Sequence, residues 1–112
     1  MGQAGTGAEY VEVRVTAGSR DEADRLAAAV VTHRLAACAQ VVGPITSTYR
    51  WNGAVERSDE WLLLMKTTLE RFDDLAAHVR RLHSYDVPEI AAVPLTAGTD
   101  AYLRWIREET SR

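Results

Sequence analysis

The chain is poor in the residues that mark several common classes of protein. It has one cysteine, Cys38, which excludes an internal disulfide and suits a reducing compartment, so the expected location is cytoplasmic. It has one lysine, Lys66, and its 16 acidic residues outnumber its 13 basic ones, for a net charge of −3. A nucleic-acid binder would carry the opposite excess. No apolar run approaches the length of a membrane span, and the start lacks the charged and apolar regions of a secretory signal. No pair of its Cys and His residues stands at CxxC or HExxH spacing. A metal site would therefore need ligands from distant segments or from different subunits.

What is present suffices for one domain: 112 residues, 46% of them apolar. Residues 1–8, with Gly2, Gly5 and Gly7, read as a flexible tail ahead of a single domain at 9–112. Gly2 and Thr6 fit a myristoylation spacing, which a glycine-rich stretch produces by chance.

The stretch Ser47–Lys66 organises the rest. Ser47, Tyr49 and Trp51 alternate with Thr48 and Arg50, a strand pattern. Asn52-Gly53 follows, and both residues tolerate the positive φ of a two-residue type I′ turn. The returning arm is polar from Glu56 to Glu60, where a bulge or a projection beyond the domain is expected. It then becomes apolar on both faces from Trp61 to Met65. Such a strand is covered on both sides. A chain this small has helices for one side only, so the expected second cover is another copy of itself.

Before this hairpin, Val11, Val13 and Val15 alternate with Glu12, Arg14 and Thr16 in a first strand. Ser19 and Glu22 fit a capping box, and Ala23, Leu26, Ala27, Val30, Val31 and Leu35 keep helical spacing, with His33 and Arg34 at the end of the helix. A second strand leads from Ala39 through a bend at Gly43-Pro44 to Trp51. After the hairpin, Thr67 and Glu70 suggest another capping box, ahead of a second helix with Leu69, Phe72, Leu75, Ala76, Val79 and Leu82 on its apolar face. Glu89–Leu95 reads as a fourth strand, placed at an edge because Pro94 cannot donate to a ladder. Thr99 or Asp100 caps a last helix, with Tyr102, Leu103 and Ile106 turned inward. The order βαββαβ plus a C-terminal helix predicts an α+β, ferredoxin-like fold: an antiparallel sheet with helices on one face and strand order 4-1-3-2. The double-sided strand at 61–65 is then internal and the Pro94 strand an edge, so two separate readings agree.

Five segments, Arg34–Cys38, Tyr49–Gly53, Met65–Thr67, His83–Ile90 and Tyr102–Ile106, together resemble the CutA divalent-cation tolerance family, in order and over nearly the whole chain. The resemblance implies a homotrimer similar in architecture to PII signalling proteins, and a role in the response to copper or another divalent cation by binding or signalling. It implies no enzymatic reaction and no other cofactor. Ser84 stands where the family usually has proline and Asp86 where it often has glutamate. Val15 and Leu82 stand where some members carry a second cysteine and a second histidine, so any metal binding is expected to be weak.

The candidate residues each read two ways. Cys38 is a soft-metal ligand or a small buried apolar residue. His83 is a ligand or a cation at a helix C-terminus. His33 and His78 read as solvated surface. Lys66, Tyr85 and Glu89, with Tyr49, Trp51, Tyr102 and Trp105 nearby, are a candidate intersubunit cleft, or an ion pair closing the sheet edge with aromatic interface anchors. The alternative function is a small oligomeric enzyme such as an isomerase, with Glu89 as base and His83 or Tyr85 as acid beside Lys66. No nucleophile–base pair or phosphate loop supports it.

Overall fold

A computed structural model describes residues 9–112; the expected tail and the Gly2/Thr6 spacing lie outside them. The strands are β1 (Tyr10–Ala17), β2 (Cys38–Trp51), β3 (Ala54–Thr68) and β4 (Ile90–Pro94). The helices are α1 (Arg20–Thr32), α2 (Phe72–Leu82), entered through a 3-10 turn at Leu69–Arg71, and α3 (Asp100–Glu109). The sheet order is β2-β3-β1-β4, with every neighbouring pair antiparallel. This is the ferredoxin-like arrangement, with β3 internal and Pro94 on an edge strand.

Alternation along β1 decides the two faces. Val11, Val13, Val15 and Ala17 are buried with Leu63 and Met65 of β3 beneath Ala23, Leu26 and Val30 of α1 and Leu75 and Val79 of α2. Glu12, Arg14 and Thr16 point to the other face, where Lys66, Leu64 and Leu62 are in turn their cross-strand neighbours. Helices α1 and α2 cover only the first face. Helix α3 departs from the expected layer: Arg107 packs over the Tyr10 ring, and Tyr102 reaches Cys38 at one end of the open face.

The Asn52-Gly53 turn has φ of 51° and 81°, as a type I′ hairpin requires. Residues 54–60 pair with β2 alone, so the polar part of the hairpin projects as a two-stranded ribbon. The bulge lies in the opposite arm. Val42 pairs with Leu62 but Ile45 with Glu60, so β2 carries the extra residue at Gly43-Pro44. There the Trp61 indole lies so close to Gly43 that an added Cβ would come within 2.5 Å of its Cδ1.

Ser19 caps α1, accepting from the Glu22 N–H, and His33 is its C-cap rather than part of its last turn. The capping box at Thr67 does not form. Thr67 is fully buried and donates to the Leu35 carbonyl, because its strand continues to Thr68 before the chain turns. Leu69 and Leu82 lie outside the apolar stripe and are exposed, the first because it falls in the 3-10 turn before α2.

Candidate functional site

The open face is apolar in its middle and polar at one end. Val42, Leu62 and Leu64 share it, all half-buried or exposed. Beyond them Lys66 Nζ donates to Gln40 Oε1 at 2.8 Å and pairs with Glu12 at 3.3 Å, while Arg14 donates to Glu12 at 2.9 Å. Burial works to raise the Glu12 carboxyl, but the bonds from Arg14 and Lys66 outweigh it and hold it below the ordinary value. Cys38 opens β2 opposite Lys66 on the same face, its Sγ 4.0 Å from the Tyr102 hydroxyl, which stacks on Trp105. Burial, then the neighbouring thiol and Glu12, push the Tyr102 phenol up.

His83 belongs to a different cluster. Its side chain is fully buried. Nε2 lies 2.7 Å from the Thr16 carbonyl, and Nδ1 is 3.0 Å from the Tyr85 N–H. A carbonyl only accepts and an amide N–H only donates, so the ring is the Nε2–H tautomer with both nitrogens engaged. Glu22 holds the connector beside it, accepting from the Ser84 N–H at 2.8 Å and its hydroxyl at 2.9 Å. Burial would raise Glu22, but the two Ser84 bonds and then the Gly18 backbone bring its pKa below the ordinary value. The Tyr85 hydroxyl donates to Glu60 at 2.7 Å, tying the connector to the root of the ribbon; burial and then this carboxylate push the phenol strongly up.

Within one chain the expected metal pair is not brought together. Cys38 lies level with Glu12 along β1 and His83 with Thr16, an offset of about 13 Å along the strand direction alone, with Cys38 two strands away on β2. His83 has no lone pair free to give, and among the described residues no cluster of three or more His, Cys, Asp or Glu is placed to hold a metal. The donor set does not fit a metal centre built from Cys38 and His83. Nor do Lys66 and Glu89 meet. Strands β3 and β4 run parallel on either side of β1, so Lys66 lies level with Val93 while exposed Glu89 precedes the opposite end of β4. Tyr49 and Trp51 stand on the projecting ribbon, and Tyr85 with Glu60; only Tyr102 and Trp105 accompany Lys66. A cavity of about 280 Å³ between the 3-10 turn and the end of α3 contains none of these residues. Glu12, Gln40, Glu22 and Glu60, which do most of the polar work, looked in the sequence like the solvent side of a strand, a helix cap or a polar ribbon.

The sheet with its long ribbon has close counterparts among known proteins. A match to the CutA1 divalent ion tolerance protein family covers residues 11–109. The chain belongs to the CutA1 family. It is 47% identical over 98 residues to the divalent-cation tolerance protein CutA of Thermus thermophilus, an alignment covering 88% of this chain and 95% of that one. The solved structure of the Thermus CutA1 protein superposes with a TM-score of 0.89 over 91% of this chain and 99% of its own, at 45% identity. The chloroplastic CutA of Arabidopsis thaliana is 41% identical over 89% of this chain, which spans 55% of that longer protein. No helix among the described residues of this CutA1 chain is long and apolar enough to cross a membrane.

Proposed function

We propose that this protein acts in the cytoplasm as a homotrimer that binds copper or another divalent cation weakly and responds to it by binding or signalling, without catalysing a reaction. The observation that supports this reading is the open sheet face. Leu62 and Leu64 on the internal strand, with Val42 beside them, lie on the face that α1 and α2 leave uncovered, and Tyr49 and Trp51 extend the apolar surface along the same face of the ribbon. Full burial of one such aliphatic side chain contributes about 1.5–3 kcal/mol, so a second copy laid on this face gains more than water offers. The number three rests on the family resemblance.

Cys38 lies on the same face, so copies meeting there carry their thiols toward a shared interface with Tyr102 and Trp105 at its border. Thiolates suit Cu(I), and sulfur from more than one copy would supply the ligands that one chain lacks. Light scattering after size exclusion is expected to give three times the 12.4 kDa subunit mass. A monomer at micromolar concentration would end the proposal. Cu(I) titration of the assembled protein is expected to show weak binding that Cys38→Ala reduces and His83→Ala leaves unchanged in any variant that still folds.

A further inference from the structure

Two histidines expected on solvated surface are in contact. The His33 and His78 rings stand 4.6 Å apart between centroids, tilted by 45°, where the C-terminal end of α1 packs beside α2. We propose that His33 and His78 form a binding site for a borderline divalent cation, Cu2+, Ni2+ or Zn2+, bridging the two helices on the side of the molecule away from the open sheet face.

The hydrogen bonds define which nitrogens are available. His33 Nδ1 lies 2.9 Å from the Ala29 carbonyl oxygen. A carbonyl accepts only, so Nδ1 carries a proton, and in the neutral ring Nε2 keeps its lone pair. The ring is exposed, and no hydrogen bond among the described residues engages that lone pair. An imidazole held by Nδ1–H to a backbone carbonyl, with Nε2 free, is the arrangement that orients metal-binding histidines. At His78, Arg81 Nη2 lies 3.2 Å from Nδ1. A guanidinium donates only, so Nδ1 presents a lone pair toward Arg81. A cation takes that same lone pair, and the exposed Arg81 side chain swings aside to admit it.

The Arg81 guanidinium opposes a second cation here, and the helix end favours one. His33 is the C-cap of α1, where the helix end carries partial negative charge. Imidazole nitrogen suits Cu(II), Ni(II) and Zn(II), and water completes the coordination around two protein ligands. The site uses neither Cys38 nor the sheet face, so it stands whether or not the copies assemble there.

The test is calorimetric titration of the full chain with CuCl2, NiCl2 and ZnCl2 near neutral pH, in a Cys38→Ser background that removes the thiol. One ion per chain is expected, and His33→Gln or His78→Gln should each weaken binding about tenfold or more. Arg81→Gln should strengthen it, because the competing donor is gone. In imidazole NMR spectra, substoichiometric Cu2+ should broaden His33 and His78 before buried His83. Thermal melts of each variant check that a loss is not unfolding. No binding in the Cys38→Ser chain, binding that both histidine substitutions leave intact, or broadening that begins at His83 would each overturn the proposal.

Discussion

At the scale of single residues, the sharpest demands are those of backbone and charge. Gly53 has φ of 81°, and a Cβ added there meets nothing within 4 Å. Any penalty at this position is therefore backbone strain and not crowding. Gly53→Val is expected to destabilise by about 1–3 kcal/mol in chemical denaturation. A variant that melts with the parent would show that the turn relaxes to another type. Glu22 makes a different demand. Its carboxyl sits below its ordinary value of 4.5 because the charged form is held by Ser84. A depressed carboxylate contributes stability above its unfolded pKa, and that contribution disappears as pH falls through the lower folded value. Glu22→Gln should lose roughly 1–3 kcal/mol at neutral pH. It should also show a shallower loss of stability on acidification, read from urea unfolding across the carboxylate range.

At the scale of elements, β3 has two faces with different fates. Leu63 is fully buried beneath the helices, whereas Leu64 is half-buried on the open face. Leu63→Asp places an unpaired carboxylate in the core, at a cost of several kcal/mol, and should prevent folding. Leu64→Asp should leave the circular dichroism spectrum intact and shift the light-scattering mass toward 12.4 kDa. Loss of folding in both variants would mean that the open face is needed by the single chain. The bulge in β2 is equally specific. Gly43→Ala would bring a methyl within 2.5 Å of the Trp61 ring, so the indole must move. Thermal denaturation should record a loss of about 1–3 kcal/mol, with a change in tryptophan fluorescence.

At the scale of the molecule, the chain divides into a helix-covered half and an uncovered half, drawn out to 45 Å in its longest dimension. The covered half supplies the core that a domain of this size needs. The uncovered half holds the ribbon, the apolar strip along β3 and the Glu12–Lys66–Gln40 group. If assembly uses that half, diluting the protein should lower its melting temperature, because a folded oligomer is stabilised by mass action. A melting temperature independent of concentration over several decades would argue that the chain is stable alone.

Periodicity and turn chemistry are local, and they carried the fold. Val11–Val15 alternates, Asn52-Gly53 can only turn, and Pro94 can only sit at an edge, so the strand order followed from neighbours in the sequence. The family likeness was legible too, because its segments are short and contiguous. The sites were not. Whether Lys66 meets Glu89 or Glu12 depends on which strands run parallel across β1, a relation that no local pattern contains. Glu22 looked like a helix cap until the connector after α2 arrived to take its carboxylate. His83 looked like a ligand until packing gave both of its nitrogens backbone partners. His33 and His78 looked like separate surface residues until α1 and α2 were laid side by side. Local sequence decides φ, ψ and the side of an element on which a residue stands. Only the packing of distant segments decides which polar atoms come within hydrogen-bonding reach, because those bonds form where elements far apart in the chain meet.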